Sequence, residues 1–195
     1  KTKQMIRIGI TGGMGAGKSV ISEMLRCIGI PVYDADSSSK KILSNNQDVK
    51  RELIKLLGED IFTNGQLNRQ LMAERIFNNE ELLKASNAII HPAVFNDFVN
   101  WSKQQKSPIV GCETAILFES KMTSYFDSII TISAPIEIRI ERCIKRNNMS
   151  RKQVVERIEK QMDEAKKIEL SDYVIINDNR KALYPQLKNI LRQLL

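Results

Sequence analysis

The stretch Gly12-Gly13-Met14-Gly15-Ala16-Gly17-Lys18-Ser19 leaves the chain few structural options. It matches G-x-x-x-x-G-K-[ST], a loop whose backbone N–H groups turn inward to cradle phosphates. The flanks fit that geometry. Arg7–Thr11 reads as a short β run, and Val20, Ile21, Met24, Leu25 and Ile28 recur at helical spacing after the loop. A helix starting near Lys18 adds its free amides and dipole to the anion site. In this motif the lysine reaches the β- and γ-phosphates and the hydroxyl after it ligates Mg²⁺. The expected nucleotide contacts are therefore Gly13, Met14, Gly15, Ala16, Gly17, Lys18, Ser19 and Val20, with Ser19 as the metal ligand. The alternative, a glycine-rich turn with a chance Lys-Ser, leaves the strand before it and the helix after it unexplained.

Beyond the loop, strands and helices alternate. Ile30–Tyr33 reads as a second strand, followed by Asp34-Ala35-Asp36. Residues 37–106 are almost entirely helical in pattern. Ile109–Cys112 returns to a strand, with Ile116–Phe118 close behind. Ser128–Ile132 and Tyr173–Ile176 are further strands, and Ala182–Leu194 a closing amphipathic helix. Ile136–Arg146 and Arg151–Met162 form two basic helices around a break at Asn147–Ser150. This alternation predicts an α/β fold, a parallel sheet core flanked by helices. The 37–106 stretch reads as an insertion. A length of 195 residues suits one domain so elaborated.

Composition narrows the class. With 42% hydrophobic and 27% charged residues the chain is typical of a globular protein. No apolar run approaches the ~20 residues that span a bilayer. The run Met5–Ile10 is short, carries Arg7 and is not read as a signal peptide. Cys27, Cys112 and Cys143 are scattered and His91 is the single histidine, so neither a zinc site nor a disulfide framework is expected. A reducing, cytoplasmic setting is the simplest reading. The net charge of +7 points to an anionic partner. GTPases normally add D-x-x-G and N-K-x-D, and neither occurs here.

Two further features bear on chemistry. In open α/β sheets, ligands sit at the carboxyl ends of strands. If the second strand neighbours the first, Asp34 and Asp36 approach the phosphate, and Asp36 is the preferred proton acceptor. If the chain turns at once into a helix, one of the two becomes its N-cap. Arg139, Arg142 and Arg146 share a helix face. Residues 139–160 hold eight basic and three acidic side chains, most of the chain's net charge. Beside a phosphate loop this reads as an arginine-bearing lid. Otherwise it is a solvated face with local ion pairs.

Several segments, in order, resemble the dephospho-CoA kinase family. They are Gly9–Ser19, Asp34-Ala35-Asp36, Leu67-Asn68-Arg69, Ile76-Phe77, Asn87–Pro92 and Leu117-Phe118-Glu119. The run Arg142…Arg146-Asn147…Ser150…Arg157-Ile158…Gln161 and Ser171-Asp172-Tyr173-Val174-Ile175-Ile176-Asn177 follow. The chain departs from the family's usual Pro-Leu-Leu at Ala115-Ile116-Leu117, its usual Asp at Glu113 and its usual Ala at Ser171. The resemblance implies a P-loop kinase fold with three parts. These are a nucleotide-binding core (1–36, 107–135 and 166–195), a helical substrate-binding insertion (37–106) and a helical lid (136–165). It implies ATP and Mg²⁺ as cofactors, and dephospho-CoA as the small-molecule substrate, phosphorylated on its ribose 3′-hydroxyl in the last step of coenzyme A synthesis. Neither nucleic acid nor membrane is expected as a partner, and a monomer is. By resemblance Asp36 is the general base, while Arg142, then Arg146, stabilises the phosphoryl group. Asn177 lies where adenine is read, its alternative being a turn residue beside Asp178-Asn179. Arg69 and His91 contact substrate; for Arg69, behind an N-cap at Asn68, the alternative is contact with its helix neighbours alone, and for His91, biased toward extended backbone by Pro92, it is a junction between helices.

Two other classes were weighed. A kinase for nucleoside monophosphates shares the core but not the pattern at Asn68-Arg69 and Asn87–Pro92. A nucleic-acid-binding ATPase needs stacking aromatics along a basic groove, and aromatic residues are only 6% of the chain.

Overall fold

The computed structural model describes residues 5–63, 65–77 and 79–195. Along the chain run β1 (Ile6–Thr11), α1 (Lys18–Cys27), β2 (Val32–Asp34), α2 (Ala35–Asn45) and α3 (Gln47–Leu57). Next come β3 (Phe62–Thr63), β4 (Gln66–Leu67), α4 (Arg69–Phe77), α5 (Glu80–Lys103), β5 (Ile109–Glu113) and β6 (Ser128–Ser133). The chain ends with α6 (Ile136–Asn147), α7 (Arg151–Glu159), α8 (Glu164–Glu169), β7 (Tyr173–Ile176) and α9 (Leu183–Leu194). Two compact units result. One runs to Tyr33 and resumes at Gln105, and the other is Asp34–Gln104.

The first unit is built on a five-stranded sheet of order β2-β5-β1-β6-β7. The pairings β1–β5, β1–β6 and β6–β7 are parallel, with Ile8 opposite Gly111 and Ile10 opposite Ile130. A parallel sheet is covered on both faces, so its strands read as nearly unbroken apolar runs. Accordingly Ile8, Ile10, Ile130, Ile132 and Ile175 are buried and pack with Ile21 and Leu25 of α1 and Leu187 and Ile190 of α9. A second cluster joins Leu117, Phe118 and Ile129. β5 lies between β1 and β2, so the second strand does not neighbour the first. Residues 115–121, part of which was expected as strand, form turns. They are held by Lys167, a fully buried lysine whose Nζ donates to the Ala115 carbonyl at 2.7 Å and pairs with Glu119 Oε1 at 2.8 Å.

The second unit is helical, with one exception. β3 and β4 form a small antiparallel hairpin, Phe62 opposite Leu67, and Lys50 of α3 lies 5.1 Å over the Phe62 ring. Its strands are too short for periodicity to reveal, although Asn64-Gly65 is a turn signal. α3 buries Val49, Leu53 and Leu57 at spacings of four. α5 runs unbroken through Pro92. His91 is therefore helical, neither extended nor at a junction. Proline deprives the Ala88 carbonyl of its usual helical donor. The turn beyond it is nevertheless held, because Val94, Phe95 and Phe98 bury and Phe98 stacks with Trp101 at 6.2 Å.

Replacing Lys167 by Ala is expected to cost about 3 kcal/mol, because it strands Glu119 and the Ala115 carbonyl without their cation. Urea unfolding measures this. A change under about 1 kcal/mol, the range of exposed pairs, would contradict the role.

Candidate active site

The loop between β1 and α1 leaves the sheet at the carboxyl end of the central strand, where α/β sheets bind ligands. Gly17 caps α1 with a left-handed backbone (φ 101°) and offers no side-chain acceptor to the first-turn amides. The first turn of α1 carries no acidic residue. The positive end of the helix is thus left for an external anion.

A loop that turns its N–H groups inward turns its carbonyls outward, and each of those must find a donor. Lys18 Nζ donates to the carbonyls of Gly12 and Gly13 at 3.0 and 3.3 Å. Ala16 N also bonds the Gly13 carbonyl. Arg139 Nε reaches the Met14 carbonyl at 3.0 Å. Arg142 Nη1 lies 3.3 and 3.4 Å from the carbonyls of Gly15 and Ala16. Asn177 Nδ2 donates to the Ala16 carbonyl at 2.7 Å. The Gly17 carbonyl accepts from Val20 N. Every carbonyl from Gly12 to Gly17 is thereby satisfied. Glycine is required at Gly15, where φ is +79° and a Cβ would run into the Arg139 backbone carbonyl.

The three arginines of α6 thus divide along one face. Arg139 is buried, 4% exposed, and ion-paired with Glu164. Arg142 is half-buried, and its Nη2 also donates to Oδ1 of Asn177 at 3.0 Å and of Asn179 at 2.6 Å. Arg146 is exposed and donates to its neighbour Asn147. Arg139 was seen in the sequence only as part of a basic stripe; nothing local marked it as a support of the loop. α6 and α7 are separated as expected, with Asn148 left-handed at the end of α6 and a Ser150–Gln153 capping box opening α7.

Asn177 is buried rather than an exposed turn residue. Its amide continues the sheet by donating to Ser133, and its carboxamide links Ala16 to Arg142. Ser19 is exposed in the first turn of α1. Val20 is 45% exposed and faces an open apolar groove with Met24, Cys27, Ile28 and Tyr184. The first unit therefore gathers Gly13–Lys18, Arg142 and Asn177, while Ser19 follows at the helix start and borders the same groove as Val20, and Arg146 is exposed.

The remaining candidates belong to the second unit. Asp34 ends β2 and is the N-cap of α2, accepting from Ser37 N at 2.9 Å and Ser37 Oγ at 2.7 Å. Asp36 sits in the first turn of α2. Of the two acids, the capping task thus falls to Asp34. Arg69 opens α4 behind Asn68, whose Oδ1 accepts from Leu71 N at 3.1 Å. His91 is half-buried in α5, and desolvation lowers its pKa from the ordinary 6.5. Among the described residues no cluster of three or more His, Cys, Asp or Glu side chains forms a metal centre, and no helix is long and apolar enough to cross a membrane.

The His91 shift has a sign that can be checked. The unfolded chain takes up its proton first as pH falls through 6.5, so stability present above that value is lost below it. The lone imidazole should titrate below 6.5 by proton NMR, and His91→Gln should flatten the acid side of the stability profile. A resonance titrating at or above 6.5 would contradict the burial.

Comparison with known proteins agrees with this geometry. The sequence profile of the dephospho-CoA kinase family matches residues 6–182. A dephospho-CoA kinase from Bacteroides fragilis is 42% identical over 187 residues, 95% of this chain and 91% of that protein. The crystal structure of TT1252 from Thermus thermophilus superposes with a TM-score of 0.83 at 31% identity, covering 98% of this chain and 97% of the other. A dephospho-CoA kinase from Campylobacter jejuni shares the fold, with a TM-score of 0.69 at 21% identity and 96% coverage of both chains. With a phosphate loop supported on every carbonyl, at the end of the central strand of a five-stranded sheet, and with matches over nearly its whole length, the chain belongs to the dephospho-CoA kinase family.

Proposed function

We propose that this enzyme transfers the γ-phosphoryl group of ATP to the ribose 3′-hydroxyl of dephospho-CoA, giving CoA and ADP. The observation that carries the reading is the set of side-chain donors on the carbonyls of the phosphate loop, Arg139 on Met14, Arg142 on Gly15 and Asn177 on Ala16, because a planar peptide whose carbonyl is held on that side turns its N–H the opposite way, toward an anion. Lys18 is the flexible cation on that loop and moves from the Gly12 and Gly13 carbonyls to the β- and γ-phosphates. Mg²⁺ in phosphoryl-transfer sites needs only one or two protein oxygens beside phosphate and water. The exposed Ser19 hydroxyl is the one this chain supplies. A bound metal neutralises charge developing on the phosphate oxygens.

Asp36 takes the proton from the attacking 3′-hydroxyl. Its neighbour Asp34 is occupied in capping α2, which supports assigning the chemistry to Asp36. Arg142 stabilises the transferring group from the loop's rim, with Arg146 contributing from the exposed end of the same face. Asn177, at the end of the last strand, marks where the adenine of ATP is read, and residues 136–165 act as the lid. Arg69 and His91, with the 37–106 segment, hold dephospho-CoA. The enzyme works as a cytoplasmic monomer, with neither nucleic acid nor membrane as partner.

The test is turnover with Mg-ATP and dephospho-CoA, followed by mass, with AMP and shikimate as control acceptors. CoA and ADP should form in equal amounts and the controls should stay unphosphorylated. Asp36→Asn should lower kcat by about 10²–10⁴ with little change in ATP binding, and Lys18→Ala should abolish turnover. Phosphorylation of a control in preference to dephospho-CoA would overturn the substrate, and a normal kcat for Asp36→Asn would overturn the base.

A further inference from the structure

Both polar groups of the Met14 backbone are held by side chains distant in sequence. Met14 N donates to Gln161 Oε1 at 2.8 Å, and the Met14 carbonyl accepts from Arg139 Nε at 3.0 Å. Gln161 lies between α7 and α8, and Arg139 on α6. Arg139 is in turn held through Nη1 by Glu164 Oε2. The other oxygen of Glu164 accepts from Ser133 Oγ at 2.6 Å and Ala134 N at 3.0 Å, at the carboxyl end of β6. A continuous chain of bonds therefore runs from the sheet through Glu164 and Arg139 to one peptide of the phosphate loop.

The consequence follows from peptide geometry. The Met14 carbonyl and the Gly15 N–H belong to one planar trans peptide, so they point in opposite directions. Fixing the carbonyl on the Arg139 side fixes the Gly15 N–H on the other, the phosphate side. The planar guanidinium can hold the carboxylate and the carbonyl together, which a lysine ammonium does with no fixed angle. The pair is largely buried, with side-chain exposures of 5% for Arg139 and 21% for Glu164. Solvent therefore competes little for the bond, and the orientation is set before the nucleotide arrives.

We infer that Arg139 and Glu164 are positioning residues that aim the Gly15 amide at the nucleotide phosphates through the Met14–Gly15 peptide, while Gln161 steadies the same loop by holding the N–H of the preceding Gly13–Met14 peptide. They act through the two peptides that meet at Met14 and touch no substrate. The inference rests on the loop binding ATP and deepens that reading. It does not depend on which acceptor is phosphorylated.

The experiment is titration calorimetry of the full chain with Mg-ATP and, separately, with dephospho-CoA, for wild type, Glu164→Gln, Gln161→Ala and Arg139→Lys. The expected result is a rise in Kd for ATP of at least about tenfold, worth 1.4 kcal/mol, for Glu164→Gln and Arg139→Lys. Gln161→Ala should show a smaller rise, and the Kd for dephospho-CoA should stay within about twofold of the wild-type value. A merely structural role lowers the fraction of competent protein and leaves both Kd values alone. Gln161→Ala removes one part-buried bond and no ion pair, so it keeps the test open if an Arg139 or Glu164 variant does not fold. Unchanged ATP affinity in the folded variants, or equal weakening of both ligands, would overturn the inference. Wild-type protein that binds ATP but not dephospho-CoA, with variants still weakened for ATP, would sustain the inference while removing the proposed acceptor.

Discussion

The phosphate loop imposes one constraint on everything around it. A backbone that points its amides at a ligand points its carbonyls into the protein, and buried carbonyls without donors are costly. This chain meets the constraint with Lys18 from α1, Arg139 and Arg142 from α6 and Asn177 from the end of β7. The loop is thus the point where three parts of the first unit converge, and the parallel order around β1 is what brings them there. β6 leads into α6, and β7, pairing beside β6, is followed at once by Asn177.

The same constraint reinterprets the chain's basic character. The cluster between residues 139 and 160 invites a reading as an open anion-binding face. Instead, Arg139 is neutralised by Glu164 and Arg151 by Glu137, while Arg142 is surrounded by carbonyl and carboxamide oxygens. Arg139 and Arg142 hold the cradle from outside, and the charge of Arg142, set among neutral oxygens, favours phosphate inside it. That arrangement is local to the loop.

How much could be read from the sequence depended on the range of the interaction. The phosphate loop, the strand–helix alternation and the break before Ser150 are written in neighbouring residues, and local rules find them. Asp34 as the cap of α2 was one of two readings left open, and the Ser37 contacts choose it. The support of the loop was not legible. Met14 and its partners Arg139 and Gln161 are separated by 125 and 147 residues, and no periodicity carries a pairing at that distance. The short helix α8, which supplies Glu164, was missed for a related reason. At Glu164–Glu169 it is too short to show an amphipathic pattern. At Pro92 a sound local rule lost to tertiary packing, because the apolar face of α5 beyond the proline outweighs one missing hydrogen bond. Strand order, which placed β5 between β1 and β2, is likewise set by the folding of the whole sheet rather than by any one segment.

The central claim is that the atoms gathered around this loop deliver phosphate to one oxygen of one ribose. Phosphorus–proton correlation NMR on the purified product reads that oxygen directly. The account predicts that the new phosphorus couples to the ribose H3′ of CoA and to no other sugar proton. Coupling to H2′, or a product carrying its new phosphate on the pantetheine arm or the existing pyrophosphate, would contradict it.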